Sequence, residues 1–79
     1  MAFAETENEW AERVARHLKA ELKRADVTYE ELAERLKDHG LEETRNSSAA
    51  KLKRGSFPAT FLVAVMAAIG RESVELADV

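Results

Sequence analysis

The segment VTYEELAERLKDHG, residues 27–40, carries the clearest helix start and stop signals in this chain. Thr28 and Glu31 have the spacing of a capping box, in which two side chains accept hydrogen bonds from each other's backbone N–H groups at a helix start. Gly40 is the residue type that tolerates the left-handed conformation found just after a helix. The segment therefore predicts a helix that begins after Thr28 and ends at Gly40.

The apolar residues of this segment share one helical face. They follow the three- and four-residue spacing of an amphipathic helix, and they are Tyr29, Leu32, Ala33 and Leu36. Val27 precedes the helix at the position from which it can contact Leu32 as a hydrophobic staple. We therefore expect this helix to pack on the rest of the domain through that face.

A longer helix is predicted before this segment, over residues 7–25. Thr6 and Glu9 have the spacing of a second capping box at its start. Its inward face carries four apolar residues spaced four apart: Trp10, Val14, Leu18 and Leu22. This regular stripe predicts an amphipathic helix, and its Trp10 and Val14 are expected to pack on one face of the fourth helix of the chain.

A weaker helical pattern follows residues 27–40. It predicts a third helix from about Glu43 to Lys53, which stops at Gly55. Its clear inward anchors are Ala49 and Leu52.

A fourth helix is predicted over residues 59–69. Pro58 suits its start because the fixed φ of proline matches the first helical turn, and Gly70 ends it. The stretch from Phe57 to Gly70 contains no charged residue, which predicts a helix that lies centrally in the core or is shared with a partner. The tail, residues 71–79, could form a short strand, a half-turn or no fixed structure.

Length and composition predict one small all-α domain, residues 1–79. The chain has 79 residues, of which 46% are hydrophobic and 34% are charged, and this balance is typical of a globular protein. A chain of this size has no material for a second core. We therefore expect a compact bundle of four to five helices.

The residue types argue against several classes of function. The chain has no cysteine and only two histidines, so we expect no disulfide, no metal site and no cofactor. Its three glycines stand fifteen residues apart, which excludes a glycine-rich phosphate loop, and its paired glutamates are adjacent rather than facing. The sequence therefore predicts a non-enzymatic protein with no small-molecule substrate.

The ends and the apolar runs of the chain suggest a location. The N-terminus carries Glu5, Glu7 and Glu9, where a secretory signal would need positive charge followed by an apolar run. The uncharged stretch near the fourth helix is shorter than the roughly 20 residues that span a bilayer. We therefore expect a cytoplasmic protein without membrane contact.

Charge is distributed unevenly along the chain. The formal net charge is −3, and residues 26–43 hold seven acidic residues against two basic ones. Residues 45–55 instead hold four basic residues and no acidic one. This basic segment could bind a polyanion locally, or it could simply offset the acidic helix next to it on a solvated surface.

The basic segment also has the residue types of a DNA-reading helix. Hydroxyl and amide groups can bond base edges, and cations can bind phosphates. The candidates for the groove-facing side, predicted to lie opposite Ala49 and Leu52, are Arg45, Asn46, Ser47 and Lys51. The candidates for phosphate contacts are Lys53 and Arg54.

Several of these motifs resemble the lambda-repressor-like (Xre-type) helix-turn-helix class. They are ELAERL at residues 31–36, the glycine-containing turn at Gly40, KRG at residues 53–55, Pro58, and the apolar helix that closes with Ile69 and Gly70. The resemblance covers residues 27–70, with the helix 7–25 before this core and the tail 71–79 after it. It implies that the helix after Gly40 enters the DNA major groove within a symmetric dimer.

A narrower resemblance is to a bacterial family known only as a domain of unknown function. It is carried by LEET at residues 41–44, KLKRGSF at 51–57, Phe61 and AIG at 68–70, and it implies no activity. The chain departs from the usual helix-turn-helix pattern, because Lys37 occupies the turn-glycine position and three extra residues precede Gly55. Two functions remain open after this departure. We expect a DNA-binding regulator, and the alternative is a protein-interaction or dimerisation module that keeps this fold without binding DNA.

The apolar residues predict both a core and a dimer. The fourth helix and its lead-in are expected to pack on the other three through Phe57, Phe61, Leu62, Val65 and Ile69, with partners Trp10, Val14, Leu18, Leu32, Leu36 and Leu52. Val63, Met66, Val74 and Leu76 have no obvious internal partner in so short a chain. Exposed apolar patches commonly mark association, so we expect a homodimer.

Overall fold

Four α-helices and a short 3₁₀ turn make up the fold in the computed structural model, which describes residues 4–79. The elements are α1 (Glu7–Ala25), α2 (Tyr29–Asp38), α3 (Arg45–Arg54), α4 (Ala59–Ala68) and the 3₁₀ turn Leu76–Asp78. No strand occurs in this part of the chain. The prediction of a compact all-α bundle is confirmed, and the tail forms the half-turn among its predicted alternatives.

α1 has the predicted bounds, but its start differs from a full capping box. The Thr6 hydroxyl accepts a hydrogen bond from the Glu9 backbone N–H at 3.1 Å. The Glu9 carboxylate accepts instead from the N–H of Glu5 at 3.0 Å, one residue before the position expected. The helix ends at Asp26, whose φ of 56° lies in the left-handed region.

α2 begins and ends as its sequence predicts. The Thr28 hydroxyl accepts from the Glu31 N–H at 3.1 Å, and the reciprocal bond from the Thr28 N–H to the Glu31 carboxylate is also present. After the helix, Gly40 has a φ of +87°, and the N–H of Leu41 donates to the carbonyl of Leu36 at 2.9 Å. The left-handed glycine thus turns the chain back over the helix end.

α3 begins two residues later than predicted because it has its own capping box. The Thr44 hydroxyl accepts from the Ser47 N–H at 3.0 Å, and the Ser47 hydroxyl accepts from the Thr44 N–H at 2.8 Å. Glu43 therefore lies before the helix rather than in it. The helix stops at Gly55, whose φ is +69°.

The core is formed by residues from all four helices and from the turn before α2. Its buried members are Leu18, Leu22, Val27, Leu32, Leu36, Leu52, Phe61, Val65 and Met66. The predicted core residues Val14, Phe57, Leu62 and Ile69 are partly buried against this cluster.

Two of the apolar predictions are wrong. Trp10 is 36% exposed and Met66 only 7% exposed, whereas Trp10 was expected inside and Met66 outside. Trp10 lies in the first turn of α1, and its regular spacing with Val14 does not show that this end of the stripe is open to solvent. α4 is apolar all round, so its sequence carries no periodicity to show which side is buried.

The chain after α4 is held by a buried carboxylate. Glu21 of α1 is 2% exposed, and it lies 2.5 Å from Arg24 and 3.1 Å from Arg71. The Arg35 guanidinium donates to the carbonyl of Ala68 at 3.0 Å. These contacts fix the C-terminal end of α4 against α1 and α2.

Gly55 lies directly against the backbone of α1. A Cβ atom built at Gly55 would be 2.0 Å from the carbonyl oxygen of Ala11. A Cβ atom at Gly40, by contrast, would meet nothing within 4 Å. Both glycines have positive φ values, so they share a backbone preference and differ only in the space beside them.

We expect Gly55→Ala to destabilise the fold far more than Gly40→Ala. At Gly40 the cost is the left-handed conformation alone, about 1–2 kcal/mol. At Gly55 the clash with α1 adds an overpacking cost of about 1–3 kcal/mol. Chemical denaturation of the two variants measures the difference, and equal unfolding free energies would refute the close α1–α3 contact.

Candidate nucleic-acid interface

The exposed side of α3 carries four of the six predicted site residues. Arg45, Asn46, Lys53 and Arg54 are exposed, together with Ala50. On the opposite side Ser48 and Leu52 are fully buried, and Ala49 is half-buried. The helix has no acidic residue, so its outer side presents three cations and an amide to solvent.

The remaining two predicted site residues, Ser47 and Lys51, do not lie on this open side. Both are half-buried. The Lys51 ammonium is 2.5 Å from a carboxylate oxygen of Glu43, and the Ser47 hydroxyl donates to the other oxygen at 2.7 Å. Both side chains are therefore engaged by Glu43, and the structure does not place them on the open side with the other four.

Glu43 holds the side chains of Ser47 and Lys51 away from the open side of α3. It is only 6% exposed, and its two oxygens are paired with Ser47 and Lys51. The Lys51 nitrogen also lies 5.1 Å from the ring centroid of Phe61, a cation–π distance. This contact links the turn before α3 to α3 and α4.

The burial of Glu43 changes the electrostatics of the interface. From sequence, Asp38, Glu42 and Glu43 near the start of α3 would all repel phosphate. The structure buries Glu43 and pairs it with a cation, whereas Asp38 and Glu42 stay exposed. Glu43 lies before α3 rather than in it, so helical spacing does not place it beside Ser47 and Lys51, and no clear sequence signal reveals this cluster.

Two of the exposed arginines are oriented by local hydrogen bonds. The Arg54 Nε donates to the carbonyl of Ser56 at 3.1 Å, and an Arg45 Nη donates to the Asn46 side-chain oxygen at 3.4 Å. Each guanidinium has five N–H donors, so other donors of both groups stay free for a ligand. Within residues 4–79, Lys53 forms no ion pair with a carboxylate.

In residues 4–79 no three His, Asp or Glu side chains form a group that could hold a metal ion. No helix in that range combines the length and the apolar character needed to cross a bilayer.

The comparison with protein families gives a match over residues 10–74, to the domain of unknown function DUF6471. The chain belongs to this family. The match covers α2, α3 and α4 completely and all but the first three residues of α1. Neither the curated proteins nor the solved structures include a significant match to this DUF6471 domain.

Lys51→Ala is expected to destabilise the DUF6471 domain, because it leaves the buried Glu43 carboxylate without its cation. The loss of one partner of a buried polar group costs about 1–3 kcal/mol. Lys53→Ala removes the same charge from an exposed position and should change stability by no more than about 0.5 kcal/mol. Urea denaturation of both variants compares the two costs, and equal effects would show that Lys51 has no structural role.

Proposed function

We propose that this DUF6471 domain is a small DNA-binding transcriptional regulator, in which α3 enters the major groove of duplex DNA. The observation that carries the proposal is the open side of α3, where Arg45, Asn46, Lys53 and Arg54 are exposed on a helix without acidic residues. Residues 45–55 hold four basic residues and no acidic one, in a chain whose net charge is −3. We propose no enzymatic activity and a cytoplasmic location.

The residue types on α3 suit the chemistry of a DNA duplex. An Asn amide can form two hydrogen bonds with the edge of adenine, and an Arg guanidinium can do the same with guanine. Asn46 follows Arg45 at the start of the helix, and recognition helices commonly contact bases through their N-terminal residues. Lys53 and Arg54, at the other end, are placed for phosphates.

The arrangement of α2 and α3 supports the resemblance to helix-turn-helix proteins. The two helices pack against each other, and the connection between them, residues 39–44, is longer than the usual turn of about 3–4 residues. The pairing of Glu43 with Lys51 removes one negative charge from the surface beside α3. The same pairing also takes the Lys51 charge out of the interface, so the interface is smaller than the sequence predicts and its net charge is unchanged.

The outward side of α4 supports a homodimer. Ala59, Thr60, Val63 and Ala67 are exposed there, and Val63 is 67% exposed. A groove of about 500 Å³ runs along this side. Because the side has no charge, a two-fold copy can pack on it without charge repulsion, and two-fold dimers are the commonest assembly.

The same uncharged side also favours the second candidate function. A protein-interaction or dimerisation module would use α4 and would need no contact between α3 and DNA. Binding of duplex DNA distinguishes the two proposals, because only the regulator needs the cations of α3.

We expect the protein to bind random-sequence duplex DNA at low salt, with log affinity falling by about 0.9 per log unit of salt for each phosphate contacted. Lys53→Ala and Arg54→Ala should each reduce this slope by about 0.9, the value for one phosphate contact, without altering sequence preference. Asn46→Ala should instead relax the preference at one base pair, by about 1–3 kcal/mol. Fluorescence anisotropy over a salt series measures the slopes, and anisotropy with a panel of defined duplexes at one salt concentration measures the preference.

Lys37→Ala is the matched control for these variants. Lys37 is an exposed cation on α2, outside the proposed surface, so its loss should leave the slope unchanged. Absence of binding to any duplex at low salt would exclude the regulator and leave the interaction module as the function. Binding that is indifferent to the α3 variants would exclude α3 as the reading helix.

For the dimer, we expect Val63→Lys to produce a monomer. The substitution introduces a charge on each copy at the proposed contact, while the exposure of Val63 leaves the core intact. Sedimentation equilibrium should give twice 8.8 kDa for the natural chain and 8.8 kDa for the variant, and the circular dichroism spectrum of the variant should remain helical. A natural chain that stays monomeric at high concentration would refute the proposal.

A further inference from the structure

We infer that the DNA-contacting surface extends from α3 onto α1, through a groove that binds the phosphate backbone. The groove has a volume of about 470 Å³ and lies between the second half of α1 and the start of α2. Lys19, Lys23 and Arg45 line it. This inference rests on the proposed function, because it assigns a second phosphate contact to the same DNA duplex.

The cations of the groove come from two different helices and are available to a ligand. Lys19 and Lys23 stand four apart on α1, which places them on neighbouring turns of one side. Both are exposed, as is Arg45. Within residues 4–79 none of the three forms an ion pair with a carboxylate. Glu30 is the acidic residue that lines the groove, so positive charge prevails there.

The start of α2 adds hydrogen-bond donors to these charges. Its capping box satisfies the backbone N–H groups of Thr28 and Glu31. The N–H groups of Tyr29 and Glu30 have no acceptor among residues 4–79, and both residues line the groove. Free N–H groups at a helix start carry partial positive charge and favour anions.

The position of Arg45 indicates that the anion is a DNA phosphate. Arg45 is the first residue of α3, so it belongs both to the groove and to the exposed side of the proposed reading helix. A backbone strand that borders the major groove occupied by α3 would pass Arg45 and continue toward Lys19 and Lys23. The two surfaces therefore form one continuous path for a single duplex.

The test uses Lys19→Ala and Lys23→Ala, singly and together, in the same salt series. Each substitution should lower the salt slope by about 0.9. The loss of affinity between 50 and 200 mM salt should therefore be about 3.5 times smaller for each variant than for the natural chain. Affinity should fall equally for all duplex sequences. Alanine is the best helix former, so the melting temperature should be unchanged.

Two further variants complete the test. Lys37→Ala, with the same loss of charge outside the groove, should leave the slope as it is. Glu30→Gln should tighten binding, because it removes the negative charge that faces the phosphates.

The outcomes separate this inference from the proposed function. If the natural chain and the α3 variants behave as proposed, but the Lys19 and Lys23 variants keep the natural slope, the groove does not bind DNA and the regulator proposal stands. If the natural chain binds no duplex, both are refuted. A loss of sequence preference in the Lys19 or Lys23 variants would also overturn a phosphate-only role for the groove.

Discussion

The close approach of Gly55 to the backbone of α1 is the constraint that sets the position of α3. Only a residue without a Cβ atom fits beside the Ala11 carbonyl, and the same glycine supplies the left-handed turn that ends α3. With the C-terminal end of α3 fixed on α1, Leu52 enters the core and Arg45 lies near Lys19 and Lys23. Both proposed DNA-contacting surfaces depend on this geometry.

Glu43 has a comparable role at the other end of α3. A carboxylate buried beside a hydroxyl and an ammonium group is favourable only while these partners are present. Because Lys51 also lies over the ring of Phe61, the cluster couples the turn before α3 to the core. The basic segment therefore divides into one cation that stabilises the domain and three, Arg45, Lys53 and Arg54, that face solvent.

Sequence patterns predicted the parts of the fold that local interactions determine. The bounds of α1 and α2 follow from regular apolar spacing and from caps such as Thr28 with Glu31. The start of α3 was missed because Ser47, rather than a glutamate, completes its capping box. The direction in which the side chains of Lys51 and Met66 face depends on their contacts in the folded chain. Lys51 contacts Glu43 and Met66 contacts the rest of the core, and no local pattern encodes either contact. The contribution of Lys19 and Lys23 was missed for the same reason, since they approach Arg45 only in the folded chain.

The absence of charge in α4 also has a consequence for the chain before it folds. Residues 59–69, ATFLVAVMAAI, form a window of apolar and β-branched residues without charge, the composition that promotes intermolecular β-aggregation. An arginine lies near each end of this window, Arg54 before it and Arg71 after it, and such flanking charges act as gatekeepers against self-association. In the folded domain the same arginines bond to the Ser56 carbonyl and to Glu21. Arg71, which flanks the window in the unfolded chain, therefore also holds the chain after α4 against α1 once the domain has folded.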